Sequence, residues 1–272
     1  MKIINTKDLN FQEEFKTILG RAKTDIKEVS SIVSKIIDEI VEEGNVALKN
    51  HISKFDNWTP LSDDDLLISQ DEMKKAYENI DKDLKNALHT AYDRIKSFHE
   101  KQLPKSWFDF EKNGTILGQK VTPVDSAGLY IPGGKAAYPS SLLMNAIPAI
   151  VAGVEEIVVC TPTPNNEINE LLLAACYICG IKKAFKVGGA SAIAAMAYGT
   201  STIPKVDVIT GPGNIFVATA KKLVFGEVHI DMIAGPSEIG ILSDSSANPK
   251  YLAIDLLSQA EHDEMASSIM IT

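Results

Sequence analysis

Gln259 and His262 stand three residues apart near the end of a helical pattern, and Asp255 precedes Gln259 by four. At those spacings the three side chains share one edge of a helix, so an amide, an imidazole and a carboxylate can converge on one small polar ligand. A neutral imidazole is an ordinary zinc ligand, whereas a glutamine oxygen is a poor one, and residue types alone disfavour a metal. Asn248 and Pro249 form an N-cap and first-turn pair, which predicts the helix from Pro249 to about His262. Leu252, Ala253, Leu256, Leu257 and Ala260 make its apolar side. Asp255 is read as a solvated position in preference to an orienter of His262.

Glycine-rich turns supply a second kind of chemistry, because amides at the start of a helix accept anionic or polar groups. The first is Tyr130-Ile131-Pro132-Gly133-Gly134, where Tyr130 can lie against a flat ring or be a core residue. Val187-Gly188-Gly189-Ala190-Ser191 opens a small-residue helix and resembles a phosphate cradle, without the GxGxxG spacing. Gly211-Pro212-Gly213-Asn214 follows a strand and opens another helix, so its amides and the Asn214 side chain can meet a ligand. For each turn taken alone, plain turn geometry is the competing reading.

The elements that must position these groups alternate. Ala127 to Ile131, Glu156 to Cys160, Ala184 to Val187, Val206 to Thr210 and Val228 to Met232 read as strands between helical patterns. That order predicts an α/β fold with a parallel, doubly wound sheet, whose ligands bind at the carboxyl ends of the strands. Before it the chain is helical. Phe11, Phe15, Ile18 and Leu19 suggest one short amphipathic helix on an N-terminal arm, with another subunit as a possible partner; Val29 to Val41 keep a helical period up to Gly44, and a further helix follows from Asn45. Ser69 with Glu72 makes a capping box, and Leu84 to Phe98 mark a longer helix ending before Pro104. Asn113-Gly114 predicts a two-residue hairpin turn with both central φ angles positive. His51, His89 and His99 lie in this helical part without ligand-like spacing and are left out of the site.

Composition narrows the classes. With 272 residues, 45% hydrophobic and 23% charged, the chain can bury a sizeable core as one large or two ordinary domains. A net charge of −9 without a basic cluster argues against nucleic acid. Residues 1–10 lack the apolar core of a signal peptide, and Leu142 to Val154 is too short to span a bilayer, so no membrane association and a cytoplasmic location are expected. Cys160, Cys176 and Cys179 are read as buried structural thiols, since the Cys176-x-x-Cys179 pair ends an apolar run where a redox pair would open a helix.

Read together, Gly128 to Gly134, Val187 to Ala190, Gly211 to Asn214 with Phe216 and Val217, Asp231 to Glu238, and Asp255 to His262 closely resemble the histidinol dehydrogenase family. The ordered set is far more specific than any one motif. The resemblance implies two incomplete Rossmann-like domains: residues 1–25 as an arm, 26–129 plus 239–272 as a discontinuous first domain, and 130–238 as an inserted, NAD-binding second domain. It implies oxidation of L-histidinol to L-histidine through an aldehyde, with two NAD and one zinc ion, Zn2+, per subunit of a homodimer. By matching positions, Tyr130 and Asn214 would contact NAD, Ser237 would bind substrate, and Gln259 and His262 would bind zinc and lie beside substrate.

The family's glutamate–histidine base pair and two further zinc ligands lie downstream of Thr272, so no catalytic residue is assigned, and the chain is expected to be an inactive front part. Glu261 beside His262 is not promoted to that role, because neighbours on a helix point in different directions. Ser191 stands where many relatives carry a glutamine that helps hold NAD. Two rival readings keep the fold and change the function: a non-catalytic binding or assembly module, and an NAD-linked dehydrogenase of another amino alcohol.

Overall fold

A computed structural model describes residues 2–20, 26–133, 138–233, 238–261 and 266–272. Among the described residues five α-helices come first: α1 (Phe11–Gly20), α2 (Ile26–Glu43), α3 (Asn45–Phe55), α4 (Gln70–Asn79) and α5 (Lys82–Glu100). The signals read from sequence act here as expected. Gly44 has φ +56° between α2 and α3, where a side chain would be strained. Ser69 Oγ accepts from the Glu72 amide at 3.1 Å, and the Glu72 carboxylate accepts from the Ser69 amide at 2.7 Å, closing the capping box.

A hairpin follows, β1 (Trp107–Phe110) with β2 (Ile116–Gln119). Its turn differs from the expected two-residue form. Gly114 alone takes positive φ, at +90°, its amide bonds back to Glu111 O, and Glu111 N donates to Thr115 O. One left-handed glycine after a turn suits a longer loop, with Asn113 Oδ1 accepting from Thr115 N instead of Asn113 entering the left-handed region.

The centre of the protein is a five-stranded parallel sheet of β3 (Ser126–Tyr130), β4 (Glu156–Cys160), β5 (Lys183–Phe185), β6 (Val208–Thr210) and β7 (His229–Ile230). Between them run α6 (Pro139–Ala152), α7 (Glu170–Ile178), α8 (Gly189–Tyr198) and α9 (Ile215–Val224). The strand order β5-β4-β3-β6-β7 makes the sheet doubly wound outward from β3, as the alternating pattern predicted. The expected division between residues 129 and 130 therefore falls inside the central strand.

Both faces of the sheet are covered, which is why its strands are apolar without a polar alternation. Val158, Cys160 and Tyr130 face one core with Ile193, Val217, Ile37 and Leu48, while Leu129 and Val159 face the other with Leu142, Leu172 and Met73. Helix α8 is buried along Ala190 to Ala197 because it lies between the sheet and α2. Its small residues allow that close approach; a side chain at Gly128 in β3 would meet Met196 Sδ at 2.7 Å. Helices α2, α4 and α5 pack outside α8 and α9, α7, and α6 respectively. The Leu66–Ile68 backbone bonds to Ala184 and Lys186, which covers the β5 edge.

The last part forms a β-α-β unit. Parallel strands β8 (Glu238–Leu242) and β9 (Ser267–Ile271) pair with each other, and α10 (Pro249–Ala260) packs on both. Asn248 Oδ1 accepts from the Lys250 amide at 3.0 Å, the cap that the sequence announced. The expected apolar side of α10 is only partly covered: Leu252 and Leu256 are half-buried, and Leu257 is 64% exposed. Among the described residues, no helix is long and apolar enough to cross a membrane.

Candidate cofactor site at the carboxyl edge of the sheet

Three strand ends bring the glycine-rich turns to one edge. Tyr130 closes β3, Gly188-Gly189 open α8 after β5, and Gly211 to Asn214 lead from β6 into α9. Parallel strands place all three ends on the same side.

Tyr130 is buried, 4% exposed, and its hydroxyl accepts from the Gly189 amide at 3.2 Å. Burial pushes the phenol up to about 12, and the nearby Asp56 adds to that shift, so the side chain keeps its proton and can donate it. The core-residue reading of Tyr130 and the ligand-edge reading are thus compatible: the ring is packed, and only the polar tip reaches the α8 start. Gly189 has φ +62° with open space where a Cβ would stand. Gly188 is needed for a different reason, since a Cβ there would sit 2.4 Å from Pro162 Cβ in the loop after β4.

Asn214 is exposed and caps α9, its Oδ1 accepting from Phe216 N at 3.1 Å and Val217 N at 3.2 Å. With the oxygen committed to the cap, the amide NH2 is the group that can reach a ligand. Further along α9, Lys221 is 3% exposed; its ammonium donates to Gly211 O at 3.0 Å and pairs with Asp231, which accepts from Gly211 N at 3.0 Å. Sequence reasoning had no means of finding Lys221, because the adjacent Lys221 and Lys222 near the end of an otherwise apolar helix carry no spacing signal.

His51 also proves to be more than a bystander. Its Nδ1 lies 2.9 Å from Ser191 Oγ and its Nε2 2.7 Å from Glu39 Oε2, so one buried imidazole ties α3 to α2 and to the first turn of α8. The hydrogen bond from His51 holds the Glu39 carboxyl below its ordinary range. Ser191 is buried, 4% exposed, and its hydroxyl is engaged there.

The edge has unmet polar capacity. Thr161 Oγ1 and Thr163 Oγ1 after β4, Thr210 Oγ1 at the end of β6, and Trp58 Nε1 are buried without a hydrogen-bond partner among the described residues. Hydroxyls in such positions suit a ligand rich in acceptors and donors, such as a dinucleotide.

Of the predicted metal pair, Gln259 alone falls among the described residues. Gln259 is half-buried in the last turn of α10, whereas His262 and Ser237 lie outside the described residues, as does Gly134. No group of three or more His, Cys, Asp or Glu that could hold a metal ion occurs among the described residues. Cys160, Cys176 and Cys179 are buried and free, as the sequence suggested.

Comparison with known proteins is decisive about ancestry. The model of the family described as histidinol dehydrogenase matches residues 19–272. The chain belongs to the histidinol dehydrogenase family. Histidinol dehydrogenases of Sulfurimonas denitrificans and Wolinella succinogenes are 73% and 66% identical over 272 residues, which is 100% of this chain and 63% of each relative. The crystal structure of histidinol dehydrogenase from Elizabethkingia anophelis superposes with a TM-score of 0.80 at 38% identity, over 88% of this chain and 55% of that one. The chain thus spans less than two thirds of these histidinol dehydrogenases. An oxidoreductase of histidine biosynthesis is the family's character, and the α/β fold with its parallel sheet is shared.

Proposed function

We propose that this chain supplies the NAD-binding part of an L-histidinol dehydrogenase, and that the whole protein oxidises L-histidinol to L-histidine in two NAD-dependent steps. The observation that carries the reading is the convergence of the Tyr130–Gly189 contact and the Asn214-capped start of α9 at one edge of a doubly wound sheet. NAD bound there would supply the hydride acceptor. The chain's own residues do the holding: the Tyr130 hydroxyl and the Asn214 NH2 offer donors, the first turn of α8 beyond Gly189 offers further amides, and threonine hydroxyls without a partner among the described residues fit sugar or carboxamide groups.

Zinc is a further part of the proposal, carried by family likeness at Gln259 and His262, with Ser237 beside the substrate. Gln259 by itself offers one neutral amide oxygen, an insufficient donor set, so no step is routed through the ion. A homodimer in the cytoplasm completes the reading. No catalytic base is assigned in this chain, and turnover by the 272 residues alone is expected to be negligible.

The test follows NADH formation by absorbance after adding L-histidinol, NAD and zinc to the longer protein of relatives' length. NADH should appear there, and Asn214→Ala should raise the KM for NAD more than that for L-histidinol. A folded, metal-loaded protein that makes no NADH from L-histidinol but oxidises another amino alcohol would replace this reading with the rival dehydrogenase.

A further inference from the structure

A lysine ammonium almost fully withdrawn from water is expensive, and an apolar pair of similar volume commonly serves stability as well or better. The Lys221–Asp231 pair therefore calls for a reason beyond packing. Its polar contacts supply one, because they converge on a single residue of the α9 turn. Lys221 Nζ donates to Gly211 O at 3.0 Å, and Asp231 Oδ2 accepts from Gly211 N at 3.0 Å. Asp231 is itself fixed, since its own amide donates to Ile209 O at 3.2 Å and its Oδ1 accepts from Met232 N at 2.6 Å.

Gly211-Pro212-Gly213 has no side chain of its own to anchor it except the proline ring. Gly211 takes φ +123°, with the space of a Cβ only 2.0 Å from Tyr130 O, so its backbone is pressed against the end of the central strand. Any rotation of this peptide shifts both Asn214 and the start of α9. A clamp on its N–H and its carbonyl therefore fixes the height of the cofactor-facing groups above the sheet.

We infer that Lys221 and Asp231 are positioning residues for dinucleotide binding: an ion pair, with the lysine buried and the carboxylate side chain 31% exposed, that holds the Gly211–Asn214 turn in its binding geometry. Asp231 also begins the sequence segment that leads to Ser237, so the same pair joins the cofactor turn to the stretch assigned to substrate. The inference rests on the NAD reading above and deepens it.

The experiment compares the wild-type chain with the charge-neutral double variant Lys221→Met/Asp231→Asn. Three quantities are read: the denaturant midpoint, NAD affinity by calorimetry, and hydrogen exchange in peptides covering 211–216 and 126–131. The double variant should keep a midpoint near wild type, bind NAD at least tenfold more weakly, and exchange at least tenfold faster in the turn with the central strand unchanged. Equal NAD affinity and equal turn exchange in a folded double variant overturn the positioning role and leave the NAD reading standing. Faster turn exchange with NAD binding absent even in wild type overturns the NAD reading, and with it the dinucleotide role of the pair. If the double variant does not fold, the single Lys221→Met is compared with Val224→Ala, a nearby packing change in α9; a matched loss of NAD affinity and of stability in both sinks the proposal, and a larger NAD loss in Lys221→Met supports it.

Discussion

The Tyr130 hydroxyl accepts the Gly189 amide proton at 3.2 Å, which joins the end of the central strand to the first residue of α8. Removing the hydroxyl leaves that amide without its partner. Tyr130→Phe is therefore expected to lower stability by about 1–2 kcal/mol, and to weaken NAD binding through the lost donor. Urea denaturation and NAD titration read the two effects; an unchanged midpoint would show that the bond contributes nothing net.

Two glycines make a matched pair for mutagenesis. Gly211→Ala forces a Cβ to 2.0 Å from Tyr130 O at φ +123°, whereas Gly240 in exposed β8 meets nothing within 4 Å. The first should cost on the order of 3 kcal/mol or more, from backbone strain and overpacking together. The second should be neutral or gain up to ~1 kcal/mol, because an interior strand glycine is entropically unfavourable. Thermal denaturation of both variants checks the contrast, and similar melting temperatures would refute it.

Acid sensitivity follows from Glu39. Its carboxyl is held below the ordinary 4.5 chiefly by the hydrogen bond from His51, against a smaller opposing effect of burial, with help from the charges of His51, Lys35 and Lys54. A lowered carboxylate stabilises the fold fully above the unfolded value and loses that contribution as pH falls through the folded one. The wild-type midpoint should therefore decline as pH drops below 4.5, more steeply than that of Glu39→Gln. Parallel slopes in a pH series of urea titrations would exclude this linkage.

The thiols should be inert. Burial pushes all three up, Cys179 to about 12, so none ionises near neutrality. Native protein treated with iodoacetamide at pH 8 should show no alkylation by mass spectrometry until it is unfolded. Rapid native labelling at Cys176 or Cys179 would reopen the redox reading of that pair.

Local chemistry was legible in the sequence wherever a few adjacent residues decide the outcome. The Ser69–Glu72 capping box, the Asn248 cap and the alternation of strands with helices act through near neighbours and period, and the sheet was read correctly from them. The hairpin near Asn113 was legible too, but its turn type was not, because loop length is set by where the flanking strands pair. Interactions closed by tertiary packing left no such trace. His51 and Ser191 are separated by 140 positions, and neither the imidazole's spacing nor the serine's place in its motif announces that they touch. The pairing of β8 with β9 was equally hidden, since strand neighbours in a parallel sheet are joined through a helix. Of the site residues expected, Tyr130 and Asn214 stand at one edge and Gln259 in α10, while the position of His262 relative to them lies outside the described residues.

The placing of α2 bears on how the protein is made. This helix leaves the ribosome early, with Val33, Ile37 and Ile40 on its apolar side, yet it packs on α8 and α9, which are synthesised far later. Until they emerge, α3 covers only part of its greasy face. Nascent chains interrupted between β3 and α8 should thus be natural clients for a holding chaperone, and the rate of elongation through that interval should govern the yield of native molecules.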